Sequence, residues 1–375
     1  MKIDLNKSHG SYVFDKNTNR EYLDFFSMYS SLPLGYNHDI FKTDEFKKEI
    51  ERISSVKITN CEFLSEESES FDKIFSEYAG VGKFDYFHYC CTGALAVETA
   101  IKTAIDYKKI EDPKIITFNG SFHGINSWGC FITSRSGGVE QRLDGFPHPF
   151  SVKVSDISSS DFIEKFLKNG DIAAVLIEPI QATAGDRYFN NNFFITLREL
   201  CNQYDIPLIF DEIQVGFGAT GKLWYFEHLG IEPDILIFGK RAQLSGIMVK
   251  KKFAEIFKTP IRLEVTWDAN VFDMIRCKYI IKAYQKYNIL DNVKQAGKVL
   301  SQGFKNVKNL KNVRNCGLIV AFDFEDTKIC NYYSEQMFYK GMIFNKTGDR
   351  TIRFRPSLAI SEEEINKSLK IIFSI

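Results

Sequence analysis

Continuous apolar runs alternate with helix-like stretches through the middle of the chain. The runs at 172–177 (IAAVLI), 207–210 (PLIF) and 234–238 (DILIF) show no alternation of polar and apolar residues. Such runs are typical of strands buried on both faces, and the helical stretches between them indicate parallel strands joined by crossovers. Because crossovers are right-handed, the carboxyl ends of these strands should meet at one edge of the sheet, where ligands bind.

The same pattern predicts further elements on both sides of these runs. Before residue 205 it predicts strands at 83–89 and 114–118, and helices at 94–107 and about 192–204. After about residue 264 the pattern changes, and it predicts a long helix at 270–286 continuing through 293–305, short strands around 317–324 and 351–354, and a final helix from Ser361.

This change of pattern indicates two domains. We expect a large ligand-binding domain over residues 46–265 and a smaller α+β domain over residues 266–375. Residues 1–45 are expected to pack with the smaller domain. A chain of 375 residues with 44% hydrophobic content is long enough to form both cores.

Composition narrows the class of function. The 48 acidic and 48 basic residues cancel, and a net charge of zero argues against a dedicated nucleic-acid or anionic-membrane binder. The polar N-terminal residues argue against a signal peptide, and no run of about 18 apolar residues occurs. The six histidines show no metal-ligand spacing. We therefore expect a cytoplasmic protein that acts on small molecules and holds no metal.

Polar residues follow each of the three buried runs. Glu178 comes directly after the first run, Asp211 after the second, and Lys240 two residues after the third. An ammonium at the end of a buried strand is partly desolvated, which lowers its pKa and frees an amine to attack a carbonyl. An acid at the neighbouring strand end suits the ring nitrogen of pyridoxal 5'-phosphate (PLP), which it keeps protonated as an electron sink.

Two other segments suit the rest of that cofactor. Thr92, Gly93 and Ala94 open a predicted helix, whose unpaired N–H groups and positive dipole end favour a phosphate. Phe122 follows the predicted strand at 114–118 and offers a flat apolar wall for a ring. Each signal alone also fits a structural role, such as a surface lysine, a helix cap or a core phenylalanine, and His123 fits a structural histidine.

Taken together, these residues resemble the class III aminotransferases of the fold type I PLP enzymes, and among them the L-lysine 6-aminotransferases. The resemblance covers nearly the whole chain. It rests on the segments at 27–38, 93–98, 120–124, 178–181, 210–214, 238–241, 266–267 and 352–358. It implies an α/β fold with a mostly parallel seven-stranded sheet in the large domain, and a homodimer with active sites at the subunit interface.

The resemblance also implies a role for each matching residue. Lys240 would form the Schiff base and shuttle the proton, while Asp211 would pair with the ring nitrogen. Around the ring, Gln214 would contact the hydroxyl, Phe122 would contact the face, and Glu178 would lie beside it. The phosphate would be held by Thr92, Gly93 and Ala94, together with Thr266 from the other subunit. Arg353 would bind a substrate carboxylate.

Two positions depart from the lysine 6-aminotransferase pattern. Ile125 stands where those enzymes have an arginine, which removes one expected clamp for the α-carboxylate of the substrate. Thr183 stands where they have a glutamate that pairs with the carboxylate-binding arginine. We therefore expect Arg353 to remain available to bind anions. We also expect the amine substrate to differ from lysine or only to resemble it.

These observations predict a ping-pong aminotransferase. It would move an amino group from an amine or amino acid, which can carry a terminal amine as lysine does, to a keto acid such as 2-oxoglutarate or to an aldehyde. Two alternatives keep the fold: a PLP-dependent racemase, aminomutase or decarboxylase, and a non-catalytic PLP-fold binding protein.

Overall fold

The computed structural model describes residues 1–58, 63–134, 151–154, 160–307 and 309–375. Its strands are β1 Tyr12–Asp15, β2 Arg20–Asp24, β3 Tyr86–Cys90, β4 Lys114–Phe118, β5 Ser151–Val154, β6 Ile172–Ile177, β7 Ile180–Gln181, β8 Arg187–Tyr188, β9 Leu208–Asp211, β10 Ile235–Phe238, β11 Ser245–Val249, β12 Lys311–Cys316, β13 Ile319–Asp323, β14 Met342–Ile343, β15 Asn345–Thr347 and β16 Thr351–Phe354.

The helices connect and cover these strands. They are α1 Asp44–Ile53, α2 Glu66–Ala79, α3 Gly93–Lys108, α4 Ser127–Ile132, α5 Ser160–Leu167, α6 Asn191–Gln203, α7 Phe226–Leu229, α8 Ala254–Lys258, α9 Val271–Lys286, α10 Ile289–Phe304, α11 Thr327–Tyr339 and α12 Glu362–Phe373. Short 3-10 turns lie at Asp39–Lys42, Lys240–Ala242 and Lys251–Phe253.

The main sheet has seven strands within the described residues, in the order β3-β11-β10-β9-β6-β4-β5. All neighbouring pairs are parallel except those that β11 makes with β10 and β3. The predicted mostly parallel seven-stranded sheet is therefore confirmed. The antiparallel strand β11 was not predicted from the sequence. Its Ser245 end lies at the same edge as the carboxyl ends of β3 and β10, the two strands that it pairs with.

Both faces of this sheet are covered. On β6, Ile172, Val175 and Ile177 belong to a core on one face. Ala173 and Leu176 belong to a second core on the other face, together with residues of α3. All six residues of β6 are buried, so its unbroken apolar run follows from burial on two sides.

The two ends of the chain meet in a small sheet of order β1-β2-β14, where β14 runs parallel to β2. A four-stranded sheet of order β12-β13-β16-β15 follows, and α10 packs against α12. The capping residue predicted at Ser361 is present, because its hydroxyl accepts from the Glu364 N–H in a capping box. Helix α9, by contrast, packs mainly on α2 and α1.

Some predicted boundaries were wrong. The helix expected to run from 270 through 305 is two helices, because Asn288 adopts a left-handed conformation (φ 50°) between α9 and α10. The strand expected at 83–89 begins at Tyr86 and ends at Cys90. Among the helices of the described ranges, none is long and apolar enough to cross a membrane.

Candidate active site

A cavity of about 590 Å³ lies at the carboxyl edge of the main sheet. It is lined by Tyr29, Gly93, Ala94, Phe122, His123, Gly124, Glu178, Ala182, Thr183, Asp211, Ile213, Gln214, Lys240, Ser245, Asn345, Lys346, Thr347 and Arg353. Most of the residues predicted to hold PLP or substrate therefore meet around one space. Thr92 lies next to this lining, whereas the exposed Thr266 is outside it.

Lys240 enters the cavity from a short turn directly after β10. The preceding Gly239 is in extended backbone, and Lys240 itself has a left-handed φ of 48°, an uncommon conformation for a residue with a side chain. Burial lowers the pKa of the Lys240 ammonium, while the carboxylate of Asp211 partly opposes this shift. Within the described residues its Nζ has no hydrogen-bond partner, so the amine is open to a carbonyl.

Asp211, the last residue of β9, is held by a buried histidine. Its Oδ2 lies 2.8 Å from His123 Nδ1, and its Oδ1 accepts from the Ile213 N–H at 3.1 Å. Because the neighbour of Nδ1 is a carboxylate, Nδ1 is the nitrogen that carries the proton and donates it. His123 Nε2 is buried without a partner in the described part of the chain. This arrangement fixes the direction of the Asp211 carboxylate.

Glu178 follows β6 and is also fully enclosed. Its two carboxyl oxygens accept from the Phe122 N–H at 2.8 Å and the Ala182 N–H at 3.3 Å. Burial raises the pKa of Glu178 to about 8, and the charge of Asp211 adds to the rise. At neutral pH this side chain is therefore mainly protonated, and it ties the loop that carries Phe122 to the end of β6.

The residues present fit a flat ring that carries a phosphate and a hydroxyl group. A Cβ added at Gly93 would lie 2.9 Å from Ile213 Cδ1, so a larger residue at this position would require the Ile213 side chain to shift. Gln214 lines the cavity, and its Oε1 is buried without a partner among the described residues. This is expected of a group that forms a hydrogen bond with a ligand hydroxyl. Phe122 and Ile213 supply apolar surface beside the ring position.

The start of α3 provides the anion site. The Thr92 hydroxyl accepts from the Leu95 N–H at 3.4 Å and so caps the helix. Gly93 and Ala94 line the cavity at the first turn, where unpaired N–H groups favour a phosphate. Ser245, at the beginning of β11, adds a hydroxyl to the same cavity.

Arg353 lies on β16 and also lines the cavity. Its Nη1 donates to the Ala182 carbonyl at 2.5 Å and its Nη2 donates to Asn345 Oδ1 at 3.0 Å. Both oxygens are neutral, and these two bonds orient the guanidinium. Thr183, one of the two departing positions, lines this region, whereas Ile125 is 61% exposed and lies outside the lining.

Several cavity residues were not predicted. His123 was interpreted as a structural histidine, although its place beside Phe122 was a usable signal. Ile213 lies between Asp211 and Gln214, and this position alone was a clue to its contact with a ring. Tyr29 and Asn345 were not singled out, although Tyr29 lies in the segment 27–38 on which the resemblance rests. Tertiary folding brings β15 and residues 27–30 to this edge.

Comparison with known proteins explains this arrangement. The family model for "Aminotransferase class-III" matches residues 1–375. The chain belongs to the class III aminotransferases. The L-lysine-epsilon aminotransferase of Mycobacterium tuberculosis (strain ATCC 25618 / H37Rv) is 30% identical over 407 residues, covering 99% of this chain and 91% of the relative. The acetylornithine aminotransferase of Nostoc sp. is 31% identical, covering 98% of this chain and 88% of the relative.

Solved structures agree with this membership. The lysine aminotransferase from M. tuberculosis in the internal aldimine form has a TM-score of 0.92 and 29% identity, and the match covers 100% of this chain and 94% of that chain. The ornithine delta-aminotransferase of Plasmodium falciparum has a TM-score of 0.78 and 26% identity, with 99% and 92% covered.

This class III aminotransferase is an enzyme that transfers amino groups and uses PLP. The predicted family, its similarity to lysine aminotransferases, the fold type I architecture and the cofactor are therefore confirmed. These relatives are named aminotransferases, so they give no support to the alternative of a PLP-dependent racemase, aminomutase or decarboxylase.

Proposed function

We propose that this enzyme transfers the terminal amino group of a carboxylate-bearing donor to a keto acid such as 2-oxoglutarate. The observation that carries the proposal is the convergence of Lys240, Asp211 and Arg353 on one cavity. An amine that reacts at Lys240 and a carboxylate that reaches Arg353 define the two ends of the substrate. L-lysine, the substrate named for several relatives, has this form.

The chain's own residues have distinct tasks in this scheme. PLP, when bound, withdraws electrons from the carbon that bears the substrate nitrogen. Lys240 anchors the cofactor and, once released by the substrate, carries a proton from that carbon. Asp211, oriented by His123, keeps the ring nitrogen protonated, and Gln214 forms a hydrogen bond with the ring hydroxyl. Thr92, Gly93 and Ala94 hold the phosphate, while Phe122 and Glu178 support the ring.

The substrate end depends on Arg353. The neutral oxygens of Ala182 and Asn345 hold its guanidinium in a fixed direction, which suits bidentate binding of a carboxylate. Thr183 cannot form an ion pair with this arginine, because its side chain carries no charge. We propose that Arg353 binds the carboxylate of the donor as well as that of the keto acid.

Assembly and location complete the proposal. Ile261, Val265 and Trp267, which lie around Thr266, are large apolar side chains with more than two fifths of their surface exposed. Burying them against a second copy would favour a homodimer in which Thr266 reaches the phosphate of the partner's cofactor. We propose a cytoplasmic location for the enzyme. We also propose that residues 1–45 form its N-terminal segment, residues 46–265 its cofactor domain and residues 266–375 its small domain. Light scattering with the wild type and Trp267→Glu tests the dimer.

A donor panel tests the reaction. The PLP-loaded protein should show the visible absorbance of a lysine-linked cofactor, and a competent donor should convert it to the absorbance of the aminated cofactor. The panel compares lysine, ornithine, glutamate, alanine, simple amines and amino sugars. Conversion by terminal amines that carry a carboxylate, with recovery of the original band on adding 2-oxoglutarate, supports the proposal. Conversion by simple amines alone would contradict the role of Arg353.

A further inference from the structure

Arg241, the residue directly after Lys240, is an arginine buried without a carboxylate. Only 2% of its surface is exposed. Its Nη1 donates to the Gln214 carbonyl at 2.7 Å, and its Nη2 is buried without a partner in the described part of the chain. Over the same residues, no aspartate or glutamate lies at ion-pair distance from this guanidinium. Taking a charge out of water without an opposite charge is costly, so the fold retains Arg241 against its own stability.

The groups around Arg241 leave its charge uncompensated. Arg355, which is also buried, adds a second guanidinium, and the buried Asp186 pairs with Arg355. Tyr284 stays protonated, and its hydroxyl donates to the Phe217 carbonyl at 2.9 Å. Burial lowers the pKa of Arg241 to about 9, and the charge of Arg355 adds to the fall. Arg241 therefore still carries its charge at neutral pH, although it lies in the core.

This charge acts on the reacting amine. The charged or titratable side chains that influence Lys240 are those of Asp211, Arg241, Arg353 and Glu178. Burial lowers the pKa of Lys240, Asp211 opposes the fall, and the two arginines add to it. Glu178 is mainly protonated at neutral pH. The charge of Arg353 is balanced whenever a carboxylate binds there, whereas Arg241 lies outside the cavity lining, so its charge acts permanently.

The hydrogen bond from Arg241 to Gln214 joins two loops of the active site. Arg241 lies in the turn after β10, and Gln214 lies in the loop after β9. The bond holds the Gln214 backbone, while the Gln214 side chain lines the cavity. A neutral amide would be enough to donate this bond, so the bond alone does not explain a buried charge. The charge is explained if it keeps the neighbouring amine unprotonated.

We propose that Arg241 is a positioning residue for amino-group transfer. Its guanidinium fixes the loop of Gln214, and its uncompensated charge keeps the Lys240 amine free of a proton and ready to meet a carbonyl. Arg241 acts through these two residues and touches neither cofactor nor substrate. The inference rests on the proposed function, because it takes Lys240 to form the Schiff base and Gln214 to contact the ring hydroxyl.

The protonation of Lys240 is measured on protein from which PLP has been removed. Wild type and Arg241→Gln are labelled with acetic anhydride at a series of pH values, and mass spectrometry of peptides gives the modified fraction of each lysine. Glutamine keeps an N–H donor for the Gln214 carbonyl and removes the charge. The labelling midpoint of Lys240 should move to higher pH by at least about half a unit, because its ammonium loses a like-charged neighbour. The exposed Lys222 is the internal reference and should keep its midpoint.

Arg198→Gln is the matched control. Arg198 lies on α6 and forms a largely buried ion pair of 2.8 Å with Asp234, at the opposite end of β10 from Lys240. Arg198→Gln should lower the unfolding midpoint, because Asp234 loses a partner, and should leave the labelling midpoint of Lys240 unchanged. Arg241→Gln should do the reverse, since it has no ion pair to lose. An Arg241→Gln protein that unfolds more readily than Arg198→Gln would make Arg241 a structural residue and overturn the proposal.

A double-mutant cycle tests the link to Gln214 through PLP binding. Arg241→Met lacks both the charge and the donor, so it differs from Arg241→Gln by the bond to the Gln214 carbonyl. The dissociation constant of PLP should be about fivefold higher in Arg241→Met than in Arg241→Gln. When each is combined with Gln214→Ala, this difference should disappear, because the side chain that the bond holds in place is gone.

Two further results would contradict the role of Arg241. A labelling midpoint of Lys240 that is the same in Arg241→Gln as in the wild type overturns the proposal, and so does a difference in PLP affinity that persists in the Gln214→Ala background. Failure of the proposed function would appear earlier, as wild-type protein that gains no lysine-linked absorbance with PLP or gains it through a lysine other than Lys240.

Discussion

The two sides of the cavity are built from different kinds of structure. On the cofactor side, Asp211, Glu178 and Lys240 lie at the ends of buried parallel strands, and the two acids are held by hydrogen bonds of 2.8 to 3.3 Å. On the substrate side, Tyr29 lies in a turn with left-handed backbone at residues 27–30, and Asn345 lies on the edge strand β15. Strand ends in a packed sheet fix groups that must meet the ring, whereas loops and edges can change with the substrate.

This difference predicts that changes on the cofactor side abolish the reaction, while changes on the substrate side redirect it. Lys240→Ala should have the largest effect, since it removes both the covalent link and the proton carrier. We expect turnover to fall by at least about 10³-fold, together with loss of the lysine-linked absorbance. The exposed Lys222→Ala serves as the control and should keep both. Near-normal turnover by Lys240→Ala would contradict the assignment.

His123→Phe should have the next largest effect. It removes the proton donor to Asp211 Oδ2, and losing a buried hydrogen bond to a charged group costs about 1.5–3 kcal/mol. This corresponds to a fall in kcat/KM of about 10- to 100-fold, with an altered pH dependence of the cofactor absorbance. His228→Phe, which affects an exposed histidine outside the cavity lining, should leave the absorbance unchanged. Wild-type kinetics and spectra in His123→Phe would show that Asp211 needs no orienting partner.

The same difference explains what the sequence could predict. Lys240, Asp211 and Glu178 were recognised because an apolar strand followed by a polar residue is a local pattern. The central sheet was recognised for the same reason. Tyr29 was not, because the nearby Ser31 carbonyl is held by Gln243, which is 212 residues away in the sequence. The antiparallel β11 and the helix break at Asn288 were also missed, since strand direction and a single left-handed residue are decided by tertiary packing.

Thr92→Ala tests the anion end of the cofactor side. The substitution removes the hydroxyl that caps α3, and loss of such a cap costs about 0.5–2 kcal/mol of stability. The same hydroxyl is expected to donate to the phosphate. The dissociation constant of PLP should rise by about tenfold, as for the loss of one hydrogen bond to a charged group, while KM for the amine donor stays unchanged. Thr92→Ser keeps the hydroxyl and should behave as the wild type. An unchanged PLP affinity in Thr92→Ala would remove Thr92 from the phosphate site.

Glu178→Gln should have the smallest effect on turnover and a specific effect on stability. Burial raises the pKa of Glu178 to about 8 in the folded protein from its ordinary value of 4.5, so the folded state holds a proton that the unfolded state releases between these values. Stability must therefore fall as pH rises through this window, by up to about 1.4 kcal/mol per pH unit from this group. Glutamine cannot titrate, so this part of the slope should disappear in urea unfolding of the apo protein.

Glu212 provides the matched control for this slope. It is also buried, its pKa is also raised to about 8 by burial, and it accepts from the N–H groups of Tyr225 and Phe226, outside the cavity lining. Glu212→Gln should remove a similar slope without touching the active site. Both variants lose one acceptor oxygen, so the slope and not the absolute stability is compared. If Glu178→Gln changes the cofactor absorbance and Glu212→Gln does not, Glu178 supports the ring. If neither variant alters the pH dependence of stability, both carboxyls are ionised in the folded protein at neutral pH.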